Sequence, residues 1–393
     1  MVNYTRNIGK LYVIKTSKWF NLVMPVVVLF YQDNGLSMQE IFILKSVYSL
    51  AIVALEIPSG WMADVWGRRK TLILGSILGS AGFLMYSFSY GFWAFIVAEI
   101  ILGAGHSFVS GADSAMLYES LKAEKQTDKY VKHEGRISSA GNFAEAIAGI
   151  AAGFLAAISL RTPVYGQFFV AFMAVPAAFL LSEPPIASSV HLHSVKGMAR
   201  EIKNVILRQK ELRIAILLSA VTGSATLTFA WLVQPFFKEV GMPVEFFGVA
   251  WTALNLSAGV SSAFAFKLAG RFSRLHETLF IIVMISLGYF FSGFAIVREG
   301  IIFLFLFYVV RGFATPVFKH YLNVYTPSNM RATVLSTRDL IIRSFFAVTS
   351  PVLGWMIDHI SLNMAFIFAG AVYFISVTII ILPWLKKVKE SSD

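Results

Sequence analysis

Residues 60–70 read Gly60-Trp61-Met62-Ala63-Asp64-Val65-Trp66-Gly67-Arg68-Arg69-Lys70. The stretch is a short polar turn between two long apolar runs. An acid closes the first run, and three consecutive cations open the second. Such a turn has no place in hydrocarbon, where its charges and backbone groups would lack partners. It belongs at a membrane interface, and Arg68, Arg69 and Lys70 put it on the cytoplasmic side. Gly60 and Gly67 suit close helix contact and a tight turn.

The rest of the chain agrees with a membrane setting. Of 393 residues, 57% are hydrophobic and only 14% charged, with a mean hydropathy of +0.69. Soluble domains carry about 25% charged residues. The formal charge of +11 does not point to nucleic acid, because the cations sit in short loops between apolar runs and form no continuous basic face. Cysteine is absent, which excludes disulfides and thiolate metal sites. The N-terminal residues hold Arg6, Lys10, Lys15 and Lys18 and no suitably placed cleavage site, so this end is expected to stay in the cytoplasm.

Apolar runs of membrane-crossing length lie near 11–32, 38–63, 71–89, 92–121, 135–158 and 164–182. A second set lies near 213–236, 244–268, 277–297, 300–323, 331–357 and 363–384, which makes twelve spans. With the first residues inside, almost all loop cations fall on the cytoplasmic side, against Arg161, Lys238 and Arg298 outside. That bias predicts both termini in the cytoplasm and a cytoplasmic (inner) membrane location. The expected organisation is an N-terminal six-helix bundle (1–182), a cytoplasmic linker (183–212) and a C-terminal six-helix bundle (213–393). Within the linker Val195, Ala199, Ile202 and Ile206 follow a helical period between Lys196, Arg200 and Lys203. They read either as an amphipathic helix on the anionic leaflet or as a solvated linker.

Gly-x-x-x-Asp-x-x-Gly-Arg-Arg-Lys resembles the signature of the major facilitator superfamily in the loop between its second and third helices. Lys267-Leu268-Ala269-Gly270-Arg271, after the eighth run, is a worn echo of that loop in which Lys267 replaces the acid. The resemblance therefore spans nearly the whole chain and implies an all-α integral membrane fold, two six-helix bundles with a cavity between them. Ala98-Glu99 through Gly111-Ala112-Asp113-Ser114 and the stretch Thr326–Ser336 resemble an efflux-pump-like bacterial branch. In that superfamily helices 1, 4, 7 and 10 line the cavity, and the acid of the loop, here Asp64, is expected to gate it together with Gly60, Gly67, Arg68, Arg69, Lys70 and Arg338.

A charge inside the bilayer costs about 2.5–3.5 kcal/mol on insertion scales, so each one kept there is a candidate for function or for pairing with a neighbour. Span 4 carries Glu99, His106 and Asp113 at intervals of seven, which predicts one ionisable stripe on a continuous helix. Span 10 carries Arg311, Thr315 and Lys319 at intervals of four, candidates for substrate binding together with Trp19. Glu145 in span 5 joins Asp113, Glu99 and His106 as a proton-coupling candidate. Alternatively, Glu99 and Asp113 are permanently ionised partners of Arg311 and Lys319. Trp19, Phe20, Trp231, Phe236 and Phe237 are candidates for a lipophilic pocket. Gly149-x-x-x-Gly153 reads as a helix-packing face. Two features depart from the efflux pattern: Glu99 stands where Arg is common, and span 5 lacks a Gly-Pro pair, so the direction of transport stays open.

No metal-ligand spacing, nucleotide loop or serine elbow is present in the sequence. The expectation is a monomeric secondary transporter, not an enzyme, with a small-molecule substrate and protons as partners and no cofactor. It would move its solute by alternating access, either as proton-coupled efflux of amphipathic compounds or as proton-coupled uptake of an anionic solute.

Overall fold

The computed structural model describes residues 3–185, 210–268, 274–326 and 331–390. The amphipathic stretch 195–206, residues 269–273 of the second loop copy and residues 327–330 of the Thr326–Ser336 stretch lie outside the described residues.

The described residues form helices and turns. The helices are α1 (Arg6–Trp19), α2 (Val27–Asp33), α3 (Met38–Val65), α4 (Arg68–Phe88), α5 (Phe92–Val109), α6 (Ala112–Ala123), α7 (Tyr130–Ile158), α8 (Thr162–Phe172) and α9 (Ala174–Phe179). They continue with α10 (Lys210–Glu239), α11 (Glu245–Leu268), α12 (Arg274–Phe294), α13 (Ile301–Tyr325), α14 (Arg331–His359) and α15 (Leu362–Glu390). Among the described residues, eleven helices or paired helices are long and apolar enough to cross a membrane. The other expected span, 244–268, is the 24-residue helix α11, diluted by Asn255, Ser257, Ser261 and Ser262. Large side chains left bare, such as Phe143, Phe154, Ile158 and Phe294, are what a lipid-facing surface needs.

Spans 1 and 4 are broken by non-helical backbone where the sequence predicts continuous helices, while span 6 is divided only at Met173, which keeps helical dihedrals. Between α1 and α2 the chain turns at Phe20–Val23. There Asn21 Oδ1 accepts the N–H groups of Val23 (3.1 Å) and Met24 (2.9 Å), and Gln167 Oε1 accepts that of Leu22 (2.7 Å). Span 4 stops at Val109 and restarts at Ala112, with Ser110 extended and Gly111 at φ +80°. In span 1 side-chain amides thus replace the helical partners that the break removes, as hydrocarbon requires.

The chain clusters into two compact units. The first comprises Met1–Leu36, Val47–Val195 and Val244–Thr252; the second comprises Ser37–Ser46, Lys196–Pro243 and Ala253–Asp393. Helices α3 and α11 each contribute to both units.

In the first unit α4 and α5 cross on glycine. A Cβ on Gly105 would lie 2.7 Å from the Gly79 backbone, and one on Gly82 would lie 2.6 Å from Leu102. Gly149 and Gly153 of α7 do form a packing face: they meet Gly248, Glu245 and Thr252 of α11, and Thr252 Oγ1 donates to Ala146 O at 3.2 Å. In the second unit Gly354 admits the Met38–Gln39 backbone, Ser350 bonds Ser46 (2.9 Å), and both oxygens of Asp358 accept the Met38 and Gln39 N–H groups (2.9 and 2.7 Å).

Each unit carries an aromatic cluster on corresponding spans. Phe30, Tyr31, Tyr86 and Phe95 come from spans 1, 3 and 4, and Phe229, Tyr289 and Phe307 come from spans 7, 9 and 10. This match supports a repeat of one six-helix pattern.

Candidate functional site

The predicted stripe of span 4 is divided. Because the helix breaks at Ser110–Gly111, Glu99, His106 and Asp113 do not share one helical face, and each meets different partners. Glu99 is 1% exposed, and its Oε1 accepts the hydroxyls of Tyr31 (2.7 Å) and Tyr86 (2.5 Å) inside the first aromatic cluster. His106 Nδ1 contacts Tyr48 Oη of α3 at 3.1 Å. Asp113 opens α6 and faces Lys15 of α1, at 3.7 Å.

Lys15 is the centre of a charged cluster that spacing alone did not expose. Its Nζ lies 2.5 Å from Glu134 Oε1 of α7 and 3.1 Å from Ser114 Oγ. Ser114 in turn donates to Glu134 Oε1 at 2.9 Å, and the Ser114 N–H donates to Asp113 Oδ1 at 2.6 Å. Lys15 and Asp113 are largely buried, at 12% and 8% side-chain exposure. Two carboxylates therefore share one ammonium next to the break in span 4. One turn along α1, Trp19 is half-exposed, with its ring edge where a Cβ on Gly141 of α7 would sit, 2.9 Å away.

The loop that decides the fold is built around a residue the sequence did not single out. Gly67 has φ +97°, and a Cβ there would lie 3.1 Å from the Glu183 carboxyl carbon. That carboxylate accepts the first N–H groups of α4, from Arg68 (3.0 Å) and Arg69 (2.7 Å). It neutralises the positive end of the helix, the usual role of an N-cap side chain, from more than a hundred residues away. Arg68 reaches Glu119 of α6 at 3.5 Å, and Arg69 Nη2 donates to Phe179 O at 2.8 Å. Asp64, Gly60 and Lys70 are exposed.

On the other candidates, Arg338 donates to Ser219 Oγ (2.5 Å) and to Asp339 (2.8 Å) within the second unit. Arg311 lies over the Tyr308 ring at 5.1 Å, while Thr315 and Lys319 form an exposed face of α13. Glu145 is half-buried on α7. Trp231, Phe236 and Phe237 are buried, with Lys45 of α3 lying over Trp231 at 5.0 Å. Lys45, 7% exposed inside a span, is a further intramembrane charge that the sequence reading passed over. Among the described residues no group of three His, Asp or Glu side chains could hold a metal.

A family model for the Major Facilitator Superfamily matches residues 18–338, most of the chain. The chain belongs to the major facilitator superfamily. It is similar to the quinolone resistance protein NorA of Staphylococcus aureus, 22% identical over 168 residues, which is 43% of this chain and 42% of NorA. It thus spans about two fifths of the length of the curated relatives it matches. Its fold is that of the nucleoside transporter NupG (TM-score 0.77, 13% identity, 97% of this chain and 99% of that one). It is also that of a D-xylose-proton symporter (TM-score 0.70, 15% identity, 96% and 95%). In this major facilitator chain the loop that opens α4 is held by Glu183.

Proposed function

We propose that this transporter exports amphipathic small molecules in exchange for protons, with Asp113 as the coupling carboxylate. The observation that carries the reading is the Lys15 cluster. Asp113 and Glu134 share the Lys15 ammonium, at 3.7 and 2.5 Å, so two carboxylates face one cation within the cluster. A proton completes the balance, and hydration of the cluster releases it. That is the cycle a coupling site needs, and the broken span beside it is a common mark of such sites. Similarity to NorA supports export, and the half-exposed Trp19 offers an apolar plane one helical turn from the charges. His106, Glu99 and Glu145 remain secondary candidates for the proton path. The expected setting is the cytoplasmic membrane, with both termini inside and the chain acting as a monomer.

A second reading is favoured by the exposed face of α13. Arg311, Thr315 and Lys319 would bind an anionic solute for proton-coupled uptake, as the fold likeness to a D-xylose-proton symporter allows. Purified protein in liposomes with an acidic lumen separates the two. Proton-coupled export predicts accumulation of ethidium, a permanently charged cation that a pH gradient alone does not trap. Accumulation of a radiolabelled organic phosphate instead, under an alkaline lumen, would support the second reading.

A further inference from the structure

We propose that the rim of the first unit, where α1, α4 and α9 meet, binds the headgroup of an anionic phospholipid. Three cations converge there. Lys10 donates to Leu180 O, and Arg69 donates to the preceding carbonyl, Phe179 O, at 2.8 Å. Arg6 lies one turn before Lys10 on the same face of α1 and is exposed. A helix C-terminus supplies only about half a negative charge, so cations gathered at the end of α9 stay largely uncompensated. Glu183, the neighbouring carboxylate, has both oxygens on the Arg68 and Arg69 N–H groups.

The chemistry beside the cations selects a lipid over a free anion. Phe172, Met173, Phe179 and Leu180 are 51–66% exposed and continue from the two carbonyls down the outside of α8 and α9. A phosphate held by Arg6, Lys10 and Arg69 would lay its acyl chains on that surface. Trp66, half-exposed in the same turn as Arg68 and Arg69, marks the depth of a headgroup layer. Basic pockets between membrane helices are known headgroup sites in general. The proposal does not rest on the coupling role of Asp113.

The test is native mass spectrometry of the full chain titrated with dioleoylphosphatidylglycerol or dioleoylphosphatidylcholine. Wild type should bind phosphatidylglycerol tightly and phosphatidylcholine weakly. Arg6→Gln with Lys10→Gln removes two cations at about 1 kcal/mol each, so phosphatidylglycerol should bind about thirty-fold more weakly. Lys129→Gln with Lys132→Gln, exposed cations elsewhere on the unit, should leave binding unchanged. If the double variant does not fold, Arg6→Gln alone keeps the Lys10 bond and should still weaken binding several-fold. Unchanged binding in the Arg6 and Lys10 variants, or equal loss in the Lys129 and Lys132 pair, overturns the proposal. Equal displacement by inorganic phosphate alone would make the site a free-anion site and overturns it too.

Discussion

At the scale of residues, two glutamates missed or misplaced by periodicity each organise a polar site of the first unit. Glu183 lies over Gly67 and caps α4, so the glycine serves both a left-handed backbone and a carboxylate packed against its bare Cα. Gly67→Ala should cost about 1–3 kcal/mol through backbone strain, plus the clash with Glu183. In Glu183→Ala the clash disappears and the cap is lost, at about 0.5–2 kcal/mol. The double variant should therefore lose less than the sum, a coupling that a double-mutant cycle on unfolding reads directly; strict additivity contradicts the contact. Glu99 offers the second case. Its carboxylate satisfies Tyr31 and Tyr86 in an apolar shell. Glu99→Gln keeps an acceptor and should change the thermal midpoint little. Glu99→Leu removes the acceptor that the two hydroxyls share, although they still face each other, and at about 1–3 kcal/mol should lower it by several degrees. Equal midpoints in the two variants would mean that the tyrosines find other partners.

At the scale of elements, the sequence was most legible where composition alone decides and least where geometry does. Apolar run length places the helices, and the basic loops order them. Gly149 and Gly153 announce a packing face, and the face exists against Gly248. Gly248→Ala would put a methyl 1.9 Å from Gly149 O, against a backbone that cannot move aside. It should separate α7 from α11 and lower both yield and thermal midpoint, whereas Gly259→Ala, with open space around its Cα, should be neutral. A fully stable Gly248→Ala contradicts the close approach. The breaks in spans 1 and 4 were not legible, because an apolar run reads alike whether or not its helix is interrupted. Asn21, Pro25 and Gly111 were the available signals: an amide that can replace backbone partners, a residue without an N–H, and a residue free at positive φ. Lys15 and Glu134 escaped for a related reason. One reads as an N-terminal cytoplasmic cation, and the other falls one residue before the apolar run of span 5. Each looks peripheral in sequence, and only the packing of α1, α6 and α7 brings them to Asp113.

At the scale of the whole molecule, the chain belongs to the major facilitator superfamily, and the proposed coupling site is the Lys15 cluster. The first unit holds a carboxylate inside its aromatic cluster. The matching cluster of the second unit satisfies Tyr289 with Ala225 O, and Tyr373 with Ser224 and Thr228. The second unit buries its own carboxylate elsewhere, at Glu277, which accepts the Tyr321 hydroxyl outside that cluster, so the two copies of the repeated pattern place their acids differently. The measurement that bears most directly on the account is transport of ethidium by wild type and Asp113→Asn in proteoliposomes, in two modes. The account predicts that the variant loses accumulation driven by a pH gradient but keeps exchange of preloaded ethidium down its own gradient, because only the proton-carrying group is gone. Accumulation that survives in Asp113→Asn, or the loss of both modes in a variant that still folds, would contradict it.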